Sequence, residues 1–266
     1  MRDVRPAAVA GTFYPGSPAT LAKTVRACLD AATAARGPAP KALIVPHAGY
    51  VYSGPIAASA YARLASVRAT IRRVVLLGPA HRAYVRGLAA PSVTAFATPL
   101  GVIPVDVEAI ASLRDLPQVV VDDAAHAHEH SLEVQLPFLA FVLDEFAVVP
   151  FAVGQATPGE VAQVLDRLWG GPETLIVVSS DLSHYHRYDE ARALDRASAD
   201  AILSLQATLD HDQACGATPV NGLVACARRR GMSVDLLDLR KSGDTAGDRS
   251  RVVGYSAFAF FDAPPR

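Results

Sequence analysis

The sequence predicts one α/β domain across residues 1–266, built around a mixed central β-sheet with helices on both faces. Predicted strands and helices alternate along most of the chain, which is typical of this class. Several predicted strands, such as Val-Val-Leu-Leu at 74–77, are continuously apolar and therefore suit a sheet covered on both faces. The segment 95–105 has Pro-Leu-Gly at 99–101, which favours a hairpin and hence some antiparallel pairing.

The individual elements follow from capping residues, helix-breaking residues and apolar periodicity. Helices tend to begin at a Ser, Thr or Pro signal and to end near Gly or cationic residues. The predicted helices are 17–35, 53–65, 107–113, 131–143, 157–169, 189–205 and 218–230. The predicted strands are 41–45, 73–77, 88–91, 95–105, 119–121, 147–153, 174–179, 233–240 and 252–261. The opening segment 5–16 is expected to be irregular but packed on the body, because it is apolar.

Composition and charge exclude several classes of function. The chain is 51% hydrophobic with a net charge of −1 and carries no basic block, so neither a nucleic-acid partner nor a polybasic membrane contact is predicted. Apolar runs stay below the roughly 20 residues of a spanning helix, and no signal peptide is recognisable. With only Cys28, Cys215 and Cys226, a disulfide framework is not expected, and a cytoplasmic location is predicted.

Reactive side chains occur where predicted strands end. His47 follows the first buried strand, His81 follows the second, Asp181 and His184 follow a third, and Cys215 lies in a loop before a helix. Ligands in open α/β sheets bind beyond the carboxyl ends of strands, so these groups are expected to converge. Two imidazoles and a thiolate form a three-ligand site with an open position, and they favour iron, copper or zinc over magnesium or calcium. The nearby helix N-terminus is expected to lower the pKa of the thiol.

Each residue also has a purely structural interpretation. A histidine at a strand end can be a hydrogen-bonded structural residue, Cys215 can be a small buried hydrophobe, and Asp181 can cap a turn. His126 and His128 are interpreted as part of a solvated loop, and the roles of Glu129 and His130 are left unassigned.

Other catalytic arrangements are less well supported by the sequence. A hydrolase that uses Cys215 with a nearby histidine is a metal-free alternative. Serines 179, 180 and 183 lie near His184, but no G-x-S-x-G elbow surrounds them. Walker and G-x-G-x-x-G patterns are absent, so no nucleotide cofactor is predicted.

The motifs that carry a family resemblance are spread in order along nearly the whole chain. They are Ala-Gly-Thr-Phe-Tyr-Pro at 10–15, Pro-His-Ala-Gly-Tyr at 46–50 with Ser53 and Gly54, Leu-Gly-Pro-Ala-His at 77–81, Glu-His-Ser-Leu-Glu at 129–133, Ser-Ser-Asp-Leu-Ser-His at 179–184 and Cys-Gly at 215–216. Together they resemble the Memo-like family, whose prokaryotic members are called AmmeMemoRadiSam system protein B.

The resemblance implies a fold similar to the class III extradiol ring-cleaving dioxygenases of the protocatechuate 4,5-dioxygenase type. Those enzymes bind iron(II) with two His and one Glu and use a further His as acid/base, whereas Memo-like proteins have a Cys in place of the Glu. Carried over by motif, the metal ligands would be His47, His81 and Cys215. Asp181 and His184 would line the site, with His184 as the acid/base candidate. The family name also implies an association with AMMECR-type and radical SAM proteins.

These observations lead to three hypotheses for the function. The first is an iron- or copper-binding protein, with zinc as an alternative, that acts as an oxidoreductase with dioxygen; in it His184 moves a proton and Asp181 orients His184. The second is a non-catalytic module whose dioxygenase-like cleft holds a small molecule, a peptide or a partner protein. The third is the metal-free Cys/His hydrolase. Nothing in the sequence predicts an oligomeric state.

Overall fold

The structure is a computed structural model that describes residues 3–32 and 37–263. The helices are α1 (Pro18–Ala31), α2 (Tyr50–Tyr61), α3 (Val107–Ala111), α4 (Asp123–Ala127), α5 (Leu136–Val142), α6 (Pro158–Leu168), α7 (Tyr188–Leu203) and α8 (Ala217–Arg230), with 3-10 turns at Ala62–Val67, Glu133–Gln135 and Ser242–Asp244. The strands are β1 (Val4–Arg5), β2 (Ala42–Val45), β3 (Arg73–Pro79), β4 (Leu88–Ala90), β5 (Ala95–Thr98), β6 (Gly101–Pro104), β7 (Val119–Val121), β8 (Ala147–Val153), β9 (Thr174–Ser179), β10 (His184–His186), β11 (Ser233–Lys241) and β12 (Val252–Phe261).

A nine-stranded mixed sheet forms the body of the protein. Its centre is the parallel set β2, β9, β3 and β8. On one side β12 pairs antiparallel with β2 and also holds β10 and β11; on the other, β4 pairs antiparallel with β8 and parallel with β7. Helices flank this sheet, so the predicted fold class is confirmed.

The central strands are apolar because both of their faces are covered. Val74, Val75, Leu76 and Leu77 in β3 are all 0% exposed. Successive side chains of a strand point to opposite faces, so this run has core on each side, as a continuously apolar strand predicts.

A second, three-stranded sheet ties the beginning of the chain to the body. β1 pairs parallel with β5, and β5 pairs antiparallel with β6, where Thr98 lies opposite Gly101 and closes the predicted hairpin. The segment after β1 packs on the core, since Val9 and Tyr14 are buried. The predictions of a hairpin and of a packed opening segment are therefore confirmed.

Helix boundaries differ from the predictions where backbone contacts override the capping signals. α2 begins at Tyr50 instead of Ser53, because the Gly49 carbonyl already accepts from the Ser53 backbone N–H, and the Ser53 hydroxyl donates to Ala48. The predicted helix 131–143 is divided into a 3-10 turn and α5, and α8 begins one residue before Thr218. The predicted end of the first helix at 35 lies outside the described residues. Within 3–32 and 37–263, no helix is both long enough and apolar enough to cross a membrane.

Candidate metal centre

The carboxyl ends of β2 and β9 place the first two polar side chains of the site. The strands are parallel, and their last residues, Val45 and Ser179, lie opposite each other. His47 and Asp181 each follow two residues later, so they leave the sheet at the same level. The Asp181 carboxylate accepts a hydrogen bond of 2.7 Å from the His47 backbone N–H, and both side chains are buried. The expected convergence of these two strand ends is therefore observed.

His81 reaches the same edge from β3 and is held by Glu129. The Glu129 carboxylate, 1% exposed, accepts the His81 backbone N–H at 2.6 Å and the ring Nδ1 at 3.0 Å. Burial alone would raise the pKa of Glu129, but contacts with His130, with His81 and with the Ser131 backbone hold that pKa well below its usual value. An ionised carboxylate only accepts hydrogen bonds, so Nδ1 of His81 must be the donor, and Nε2 is left on the side of the ring away from Glu129.

The loop that carries Glu129 is docked directly on the end of β3. The Ser131 hydroxyl donates to the Pro79 carbonyl at 2.9 Å. A side chain at Gly78 would place its Cβ 2.7 Å from that hydroxyl oxygen, so the close approach requires glycine. This contact brings His130, the residue between Glu129 and Ser131, over the strand ends.

Three imidazoles meet as a result. His47, His81 and His130 each offer one ring nitrogen, and the three nitrogens lie within 4.8 Å of one another. The ring centroid of His47 lies 5.2 Å from that of His81 and 5.4 Å from that of His130. The sequence predicted His47 and His81 as ligands but left His130 unassigned; the available signal was its place in the Glu-His-Ser-Leu-Glu motif at 129–133.

Cys215 lies against this cluster. Its Sγ is 3.3 Å from Nε2 of His47 and 3.7 Å from the Asp181 carbonyl oxygen. The next residue, Gly216, donates its N–H to the Ser180 hydroxyl, and a Cβ there would lie 2.7 Å from the Ser180 side chain. Close packing of this loop on the end of β9 therefore brings the thiol to the imidazole, as the sequence predicted.

The thiol and the nearest imidazole are both held in their neutral forms. Burial raises the pKa of Cys215 to about 12, and the Asp181 carboxylate adds to the rise. The expectation of a lowered thiol pKa was therefore wrong, because burial outweighs the helix N-terminus. Burial, followed by the neighbouring His81 and His130, holds the pKa of His47 well below its ordinary value.

Asp181 and His184 differ in burial, since Asp181 is buried and His184 is half-buried. Burial raises the pKa of Asp181, although the hydrogen bond from the His47 N–H opposes the rise. Among the described residues, no hydrogen bond joins Asp181 to His184. His184 begins β10 and is half-buried, and it lines a cavity of about 480 Å³ together with His81 and Cys215. Their catalytic roles stay a prediction.

His126 corrects one interpretation from the sequence. It is 2% exposed rather than solvated, and its Nε2 lies 2.9 Å from the Ala89 carbonyl. The buried Arg5 guanidinium donates to the carbonyls of His126 and Glu129, at 2.6 and 2.8 Å, so this loop is fixed from inside. His128 is exposed, as predicted.

The donor set fits a transition-metal ion. In tetrahedral zinc sites, imidazole bonds of about 2.0–2.1 Å and thiolate bonds of about 2.3 Å separate the nitrogen from the sulfur by about 3.5 Å. The observed 3.3 Å between His47 Nε2 and Cys215 Sγ is close to that spacing. Nitrogen and sulfur donors suit iron, copper and zinc better than magnesium or calcium.

A second, larger cavity of about 670 Å³ opens from the same histidine and thiol. It is lined by His81, Cys215, Tyr84, Arg86 and Gln155, among others. A volume of this size holds a small organic molecule or a short peptide segment. Of the four side chains of the candidate centre, His81 and Cys215 line both cavities.

The fold and the site define an α/β protein with a histidine- and cysteine-lined candidate metal centre at the carboxyl edge of a mixed sheet. Comparison with known proteins then identifies the family of this protein. Residues 5–259 match the family model described as Memo-like protein, and the chain belongs to that family.

The sequences of curated relatives match this chain over nearly all of their length. The chain is 35% identical to a MEMO1 family protein of Ignicoccus hospitalis, with 97% of this chain and 98% of the relative covered. It is 36% identical to one of Methanopyrus kandleri, covering 96% and 98%, and 37% identical to one of Aquifex aeolicus, covering 97% and 99%. The predicted resemblance to the Memo-like family is confirmed.

Proposed function

We propose that this protein binds iron or copper through His47, His81 and Cys215, with His130 as a further donor. The observation that carries the proposal is the convergence of these side chains: three ring nitrogens within 4.8 Å of one another and a sulfur 3.3 Å from one of the imidazoles. The thiol, neutral with a pKa of about 12, would lose its proton on binding a cation.

His47 and His81, the two imidazoles of the proposed ligand set, are oriented for metal binding by hydrogen bonds at Nδ1. Glu129 accepts from Nδ1 of His81, which turns the ring so that Nε2 is free. Nδ1 of His47 contacts the Ser179 hydroxyl at 2.8 Å, so its Nε2 also faces the thiol side. Outer partners of this kind fix the ring orientation of metal-binding histidines.

We further propose a redox function that involves dioxygen, which rests on the resemblance to ring-cleaving dioxygenases. A bound iron or copper ion would supply one-electron chemistry beside His81 and Cys215, which line both cavities. His184, half-buried at the mouth beside His81 and Cys215, would move a proton to or from a substrate. Asp181 would hold the His47 loop in place through its hydrogen bond to the backbone.

The protonation states support metal binding over metal-free thiol hydrolysis. A cysteine nucleophile needs a thiolate, and its partner histidine must accept the proton. Here burial raises the pKa of Cys215 to about 12 and lowers that of His47, so the thiolate–imidazolium pair is disfavoured on both sides. Association with AMMECR-type and radical SAM proteins is a further proposal that rests on the family resemblance.

Anaerobic metal analysis tests the proposal. The protein is purified without added metal, incubated with iron(II) or copper(I), desalted and analysed. We expect stoichiometric uptake by the wild type, loss of uptake in the His47→Ala/His81→Ala double variant, and weaker retention in Cys215→Ser. His128→Ala, which changes an exposed histidine on the loop that also carries Glu129 and His130, is the matched control and should bind like the wild type. Equal uptake by all four proteins, or none by the wild type, would contradict the proposal.

Oxygen consumption tests the redox part. The iron-loaded wild type, given a chemical reductant, is expected to consume dioxygen faster than the same amount of protein carrying zinc. Equal rates for the two metals would overturn the redox assignment and leave the metal site intact.

A further inference from the structure

Behind His47 lies a buried row of polar side chains that begins at Ser179 and lies outside the proposed ligand set. Ser179, Gln135 and Tyr61 are 0%, 1% and 0% exposed. They come from the end of β9, from the 3-10 turn before α5 and from α2. Buried polar groups of this kind are costly unless each hydrogen bond is made, so their pattern is informative.

The direction of each hydrogen bond can be assigned from atoms that act only as donors or only as acceptors. Gln135 Nε2 lies 2.9 Å from the Pro46 carbonyl oxygen. A carbonyl can only accept, so the atom facing it must be the amide nitrogen, and this fixes the orientation of the Gln135 side chain. Its oxygen then accepts from the Tyr61 hydroxyl at 2.9 Å.

The Ser179 hydroxyl is constrained in the same way. It lies 2.7 Å from the Ser131 carbonyl oxygen, which can only accept, so the single hydroxyl proton points there. The second amide hydrogen of Gln135 is donated to Ser179 Oγ at 2.9 Å. The remaining lone pair of Oγ faces Nδ1 of His47 at 2.8 Å. Because Oγ has no proton left to give, Nδ1 must be the donor.

We propose that Ser179 is the positioning residue that fixes His47 as the Nδ1–H tautomer and points its Nε2 toward the proposed metal position. The Ser179 hydroxyl is itself oriented by its hydrogen bond from Gln135. This inference deepens the proposed metal site, on which it rests, and assigns a role to residues that lie outside the ligand set. Nδ1 of His81 likewise donates to the Glu129 carboxylate, so each of the two imidazoles is oriented by its own hydrogen-bond acceptor. Loss of such an outer partner typically weakens metal binding about 10- to 100-fold.

The tautomer is measurable without any metal, which separates this inference from the proposed function. Metal-free protein labelled with ¹⁵N in histidine is examined by long-range ¹H–¹⁵N correlation, and the His47 signals are assigned by their absence in His47→Gln. We expect the pattern of a neutral ring protonated at Nδ1. A ring protonated at Nε2, or an even mixture of the two, would overturn the inference even if the protein bound iron.

Two serine variants test the consequence for binding. Ser179→Ala removes the hydroxyl that accepts from His47 and should weaken metal affinity about 10- to 100-fold while mixing the two tautomers. Ser256→Ala is the matched control, because Ser256 is also a fully buried serine on a strand, and its hydroxyl has no hydrogen-bond partner among the described residues. Equal affinity in the two variants would refute the positioning role, and the measurement on the wild type stands whether or not Ser179→Ala folds.

Discussion

Replacing Glu133 with glutamine should destabilise the protein by more than the loss of an exposed ion pair would, because Glu133 belongs to a fully buried ion pair. Glu133 is 0% exposed and lies 2.6 Å from the Arg5 guanidinium, itself 5% exposed. Its carboxylate also accepts from the backbone N–H groups of Ala8 and Val9 and from the Tyr14 hydroxyl, so every lone pair is engaged. The pair thus anchors the opening segment to the core.

The expected cost follows from what the substitution leaves behind. A glutamine side chain would fill the same space but leave the Arg5 charge buried without a counter-charge. Breaking one partner of a buried ion pair costs about 3–5 kcal/mol, whereas an exposed pair contributes about 0–1 kcal/mol. Arg68 and Asp144 form such an exposed pair, with side chains 56% and 42% accessible, so Asp144→Asn is the matched control.

Urea denaturation monitored by circular dichroism measures the difference in the free energy of unfolding between the two variants. We expect Glu133→Gln to lower the free energy of unfolding by about 3–5 kcal/mol and Asp144→Asn by less than about 1 kcal/mol. The Arg5→Met/Glu133→Gln double variant should lose less than the sum of the two single variants, because it contains no unpaired charge. A Glu133→Gln cost no larger than that of Asp144→Asn would refute the reasoning.

Two further predictions concern a buried histidine and a helix contact. Burial lowers the pKa of His126 from 6.5 to about 4, so the unfolded chain binds a proton there at pH values where the folded protein does not, and stability falls as the pH drops through that range. The wild type should therefore lose about 2 kcal/mol more than His126→Gln between pH 7 and pH 5, while exposed His128→Gln should follow the wild type; equal pH dependence of all three would contradict this. In α8, a Cβ at Gly222 would lie within 2.6 Å of the Val161 side chain, so Gly222→Ala should cost about 1–3 kcal/mol by thermal or urea denaturation. Gly159→Ala, which has only an ordinary contact at 3.9 Å, should stay near the wild type, and a similar loss in both alanine variants would argue against overpacking.

Much of the fold could be predicted because its signals are local. Apolar runs marked the central strands, and the Thr157–Glu160 capping box marked the start of α6. The meeting of His47 with Asp181 was predictable as well, since each follows the end of a buried strand by two residues and parallel strands end together.

The rest of the site depends on contacts between distant parts of the chain. His130 reaches the cluster because Ser131 docks on Pro79, 52 residues away in sequence, and no local pattern reports that contact. The burial of His126 depends on packing beneath β4, which overrides the polar character of its surroundings. The thiol pKa was mispredicted for the same reason: the helix N-terminus is visible in the sequence, whereas the burial of Cys215 is not.

Anomalous X-ray diffraction from crystals of the iron- or copper-loaded protein tests the central claim most directly. We expect a single strong peak within bonding distance of Nε2 of His47, Nε2 of His81 and Cys215 Sγ, near the roughly 2.0–2.3 Å that zinc makes to such donors. A peak bound elsewhere on the protein, or loaded protein with no ordered ion between these three side chains, would contradict the account.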